Sequence, residues 1–126
     1  MPTFVRYIIA FIVFMHGLVH AMYFPVYWPL VDWEGIPYKT TLLWGRWDAG
    51  PAGTRVFGLL NLVAAVGFIV AALGLAFLAS WWQPVMVAVA LLSLVLTLLD
   101  FTAAYGGPVV DALLLALVYF APRLGL

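Results

Sequence analysis

The chain has 126 residues, of which 67% are hydrophobic and 8% charged, with 5 basic residues, 5 acidic residues and no formal net charge. A soluble domain carries about 25% charged residues, so the solvent around most of this chain is lipid. Zero net charge and the lack of a polybasic run give no field for nucleic acid, and zero cysteines exclude disulfides and thiolate metal sites.

The apolar pattern predicts an all-α polytopic membrane protein: one domain over residues 1–126, with four spans in a compact bundle. The first span is predicted over residues 4–24, ended by Pro25 and Pro29. Its apolar run continues without a small-residue cleavage motif, which reads as a retained span rather than a cleaved signal. Residues 25–53 form the one long connection. This stretch holds Asp32, Glu34, Lys39, Arg46 and Asp48 together with Trp28, Trp33, Trp44 and Trp47. Indole rings concentrate at the headgroup level, so the segment is expected to lie along the bilayer with its charges wet; a lid over a polar site is the sharper alternative.

The second span is expected over residues 54–78, with Thr54 as its cap. Ala64, Gly67, Ala71 and Gly74 form a small-residue stripe that permits close helix approach. A tight turn follows, in which Trp81 and Trp82 supply an aromatic belt. Pro84 opens the third span, expected over residues 84–104, where Ser93, Thr97, Asp100 and Ala104 share a face. Gly106 and Gly107 make a second turn, and the fourth span is expected over residues 108–120.

Six polar residues stand in or beside these spans: His16, His20, Arg55, Asn61, Asp100 and Asp111. An even number of spans brings all six toward one side of the membrane. Ionisable groups in hydrocarbon face the bundle interior or a wet cavity, so these six are the candidate ligand- or proton-binding residues. His16 and His20, four apart, share one helix face. Three readings are open. The first is a hydrogen-bonded network that ties helices together. The second is a divalent metal site made by His16, His20, Asp100 and Asp111, which are expected to face one another. The third is a proton-relay or small-molecule pocket, such as a quinone-facing site. One helix cannot offer both histidines to opposite faces of a haem. Arg6 and Arg123 lie on one side and Lys39, Arg46 and Arg55 on the other, a near balance. Cytoplasmic termini are expected because the aromatic-rich connection suits the outer face.

The chain's size and four spans, the run His16-Gly17-Leu18-Val19-His20, and the Arg55-Val56-Phe57-Gly58 opening of a Gly/Ala-rich helix resemble the DoxX-like group of small bacterial four-helix membrane proteins. The likeness is one of pattern and covers much of the chain. It implies a bacterial inner-membrane protein associated with redox systems, including quinone-linked oxidation. The expected role is thus a redox-associated accessory or small-molecule-binding protein in the lipid bilayer, with a membrane-protein partner or a second copy. A purely structural subunit of a membrane complex is the alternative, and a metal-dependent membrane enzyme a third.

Overall fold

A computed structural model describes residues 1–126. Four helices, α1 (Thr3–Tyr27), α2 (Gly50–Phe77), α3 (Trp82–Leu99) and α5 (Gly107–Leu124), are long and apolar enough to cross a membrane. A short helix, α4 (Phe101–Ala104), stands between α3 and α5, and a two-stranded hairpin, β1 (Thr41–Leu42) and β2 (Trp47–Asp48), between α1 and α2. The expected all-α bundle is therefore observed: α1 packs on α2, α2 on α3 and α3 on α5. The chain is an integral membrane protein by this architecture.

The element ends differ from expectation in four informative places. Pro25 does not end the first helix, which runs on to Tyr27. A proline one turn from a C-terminus removes only one hydrogen bond, and Tyr27 is held by a side-chain bond to Asp100. Thr54 is not the cap of α2, which begins at Gly50 with Pro51 in its first turn; its hydroxyl instead donates back to Gly50 O at 2.8 Å. The third span is not continuous to residue 104. It breaks at Asp100 (φ −115°, ψ 41°), whose carbonyl then accepts the amides of Ala103 and Ala104 to start α4. Finally, α5 extends past residue 120 to Leu124.

Helix lengths create a step. At about 1.5 Å per residue, α1 and α2 extend roughly 37 and 42 Å, and α3 and α5 roughly 27 Å each. The hairpin packs at the end of α3, beside α4. Leu43 N–H donates to Leu99 O at 2.8 Å, satisfying a carbonyl that the end of α3 leaves without an intrahelical donor. Trp44 packs on Phe101, with ring centres 5.8 Å apart. The connection thus lies against one end of the bundle with Asp32, Glu34, Arg46 and Asp48 exposed. Lys39 departs from the expected wet charges, for its ammonium pairs with the buried Asp100.

The small-residue stripe of α2 packs against α3. A methyl group on Gly67 would stand 2.7 Å from Val89 Cγ2, and one on Gly74 would stand 2.6 Å from the Trp81 ring and 2.8 Å from Trp82 Cβ. Trp82 is accordingly buried in the core rather than placed in an outer belt. The α1–α2 contact is equally close: a Cβ on Gly17 would meet Ala65 O and Phe68 Cβ at 3.0 Å each. In contrast, α1 and α5 face each other across a gap.

Candidate functional site

Lipid offers no hydrogen bonds, so each polar side chain in these helices must find a partner within the protein. No buried side-chain nitrogen or oxygen lacks one. The partners form two separate groups.

The first group joins all four long helices. From α1, His16 Nε2 lies 3.1 Å from Asp111 Oδ1 on α5. The Ser93 hydroxyl of α3 stands between the other carboxylate oxygen and His20, 2.8 Å from Asp111 Oδ2 and 2.7 Å from His20 Nε2. His20 Nδ1 is 2.8 Å from Asn61 Oδ1 on α2. Asn61 in turn donates through Nδ2 to Phe57 O at 3.0 Å, which fixes its amide with the oxygen toward His20. Thr97 donates to Ser93 O at 2.8 Å and lies 3.4 Å from Asp111 Oδ2. The Phe68 ring stacks on His20, with centres 5.6 Å apart, and meets His16 edge-on at 4.7 Å. Asp111 and Ser93 are fully buried.

The second group sits closer to the hairpin. Asp100 accepts from the Tyr27 hydroxyl through Oδ2 and from the Lys39 ammonium through Oδ1. Lys39 also lies over the Tyr27 ring, 5.7 Å from its centre, a favourable place for a cation. Tyr23 stands between the groups and donates to Ala103 O at 3.0 Å.

The six predicted residues are therefore divided. His16, His20, Asn61 and Asp111 come together. Asp100 does not join them, because the break after Leu99 carries it off the Ser93–Thr97 face and toward Lys39. Arg55 is exposed at the rim, 5.6 Å from the Trp28 ring centre. The expected four-ligand metal set is not assembled: no three His, Asp or Glu side chains gather to hold an ion, and an ammonium already occupies one oxygen of Asp100. Ser93, Thr97, Tyr23, Tyr27 and Lys39 are the members that sequence reasoning left outside the site. Ser93 and Thr97 had a signal, a shared face turned toward a carboxylate, but hydroxyls in apolar helices usually bond to their own backbone, as Thr97 also does.

The site is deeper than expected. Because α1 continues to Tyr27, His16 lies about 16 Å along the axis from the helix end. Beside it is a cavity of about 340 Å³ in the gap between α1 and α5. His16, Val19, His20 and Tyr23 line one side; Thr97, the α4–α5 turn and Val110 line the other.

The network has an unusual proton count. Three hydrogen bonds run along Asn61–His20–Ser93–Asp111, and each needs one proton. Ser93 supplies one and a neutral His20 another. The third belongs either to the second nitrogen of His20 or to Asp111. These two arrangements interconvert by a shift of protons through the Ser93 hydroxyl, so the chain of groups has the connectivity of a short proton path.

Compared with family models, curated proteins and solved structures, the chain matches none.

Proposed function

We propose that this membrane protein binds a small ring-bearing molecule of the quinone class in the gap between α1 and α5, as an accessory component of a redox system. The observation that carries this reading is the cavity wall. A space of about 340 Å³ falls within the usual size of small-molecule sites. Its wall combines apolar side chains with two histidines wired to a buried carboxylate. The position of the cavity between two helices that scarcely touch is suited to a ligand arriving through lipid. The resemblance to DoxX-like proteins supports the redox association, a bacterial inner-membrane location and a membrane-protein partner or second copy; the aromatic-rich connection between α1 and α2 supports cytoplasmic termini.

The test is saturable binding of a short-tailed benzoquinone to the purified full chain, compared with the double variant His16→Asn, His20→Asn. Asparagine keeps hydrogen-bonding capacity but neither titrates near neutral pH nor has a ring. Binding by the wild type that the folded double variant loses is the expected result. No saturable binding by the wild type, together with a lower melting temperature for the variant, would overturn the reading. That result would favour a purely structural subunit, for which the complete pairing of buried polar atoms already speaks.

A further inference from the structure

His16 uses only one of its two ring nitrogens within the protein. Nε2 faces Asp111 Oδ1. That oxygen accepts in both proton arrangements, because any proton held by the carboxyl group is needed at Oδ2, where Ser93 lies. Nε2 therefore carries a hydrogen, and whenever the ring is neutral its lone pair is on Nδ1. Nδ1 has no protein partner; since no unpartnered side-chain polar atom is buried, it is open, and His16 stands on the cavity wall.

The other polar groups on that wall have the same bias. Tyr23 has given its proton to Ala103 O, and Thr97 has given its own to Ser93 O. Both ring nitrogens of His20 are engaged. Of the side chains lining the cavity, only the largely exposed Tyr105 holds a proton that the protein does not use. Among its side chains the wall accepts hydrogen bonds more readily than it donates them; its free donors include the backbone amides of Tyr105 and Gly106 in the α4–α5 turn.

We infer that the cavity selects a ring molecule carrying an O–H, a hydroquinone or phenol, over the corresponding carbonyl form, and that His16 Nδ1 accepts its hydrogen bond. The inference rests on the small-molecule reading above. When the bond proceeds to transfer, the hydroxyl proton passes to Nδ1, leaving an imidazolium beside Asp111 and an aryloxide in the cavity; no electron moves. Asp111 does not line the cavity and is a positioning residue, which holds the ring and sets its tautomer.

The experiment uses the full chain in detergent with ¹⁵N-labelled histidine rings, the His16 signals being identified by their loss in His16→Phe. A protonated Nε2 and an unprotonated Nδ1 are expected in the free protein; the opposite tautomer would overturn the inference. An alkyl-benzoquinone and its hydroquinone, the latter kept reduced under anaerobic conditions, are then titrated separately. One neutral hydrogen bond implies roughly 2- to 10-fold tighter binding of the hydroquinone, with a saturable shift at Nδ1 and a ratio near one in His16→Phe. Equal affinities in the wild type, or tighter binding of the quinone, would defeat the inference while leaving the proposed function standing. Binding of neither form would remove both.

Discussion

Where α2 meets α3, Gly67 and Gly74 leave no room for a methyl group; where α1 faces α5, a cavity of about 340 Å³ separates the helices. The first contact is held by van der Waals packing of small residues, the usual means of association in lipid. The second is bridged by single polar contacts. The Met1 ammonium donates to Leu124 O at 2.9 Å near one end and His16 reaches Asp111 in the interior, while on the hairpin side Tyr23 donates to Ala103 O of the adjoining α4. The close-packed contact fixes geometry, and the clefts beside it, of about 310 and 220 Å³, are lined almost entirely by apolar side chains. A hydrogen-bonded seam leaves a cavity and brings titratable groups to its wall. The two regions therefore differ in the chemistry of their clefts: apolar beside α2–α3, and walled by titratable groups between α1 and α5.

Overfilling the packed side carries the largest expected effect. Gly67→Leu or Gly74→Leu should destabilise the protein by about 1–3 kcal/mol or more, read as a fall in melting temperature in detergent. An unchanged melting curve for both would mean that the α2–α3 contact does not depend on its glycines. The polar side should respond to a different kind of change. Asp111→Ala leaves Ser93 and His16 without their carboxyl partner and should cost about 2 kcal/mol, whereas Asp111→Asn, which keeps shape and hydrogen bonding, should cost less. If the two variants melt alike, the hydrogen bonds at Asp111 contribute little.

A smaller effect is expected at Lys39, where the ammonium is partly exposed and the carboxylate is not. Lys39→Met should lower stability by about 1–2 kcal/mol, between the values for surface and buried pairs, and should make the hairpin more accessible to protease at Arg46. Retained protection at Arg46 would show that the Leu43–Leu99 bond and the Trp44 contact hold the hairpin without the ion pair.

The smallest effect lies in the turn before α2. Asp48 accepts the Gly50 amide at 2.9 Å, and this bond, with help from Thr40, holds its carboxyl below the usual carboxylate range. A lowered folded value means that the contribution is present at neutral pH and is lost as pH falls through that value. The Gly50 amide signal should therefore titrate below the usual aspartate midpoint, and Asp48→Asn should abolish that titration. A midpoint at or above the ordinary value would show that the turn does not hold the carboxylate.

The spans were legible because a run of about 20 apolar residues has few stable solutions other than a membrane helix. The pairing of the α2 stripe was legible for a similar reason, since small residues at spacings of three and four have one efficient use in lipid. Thr54 and Pro25 misled because each is a local signal that tertiary contacts override: the turn at Asp48–Gly50 starts α2 a full turn before Thr54, and the Tyr27–Asp100 bond favours extending α1 beyond Pro25. Asp100 misled because depth was counted along an unbroken helix. The break after Leu99 turns that carboxylate away from the histidines, and no composition or periodicity marks it.

The order of residues alone was enough to mark four helices long and apolar enough to cross a membrane, and to mark His16, His20, Asn61 and Asp111 as polar groups within them. Hydropathy and helical periodicity act along the chain, so they are readable from order alone. Only the tertiary structure decided which carboxylate meets the histidines, that Ser93 links His20 to Asp111, and that a cavity remains beside His16. Those outcomes depend on helix rotation and on the step between long and short helices. Both are set by contacts between residues as far apart as His16 and Asp111, which local pattern does not encode.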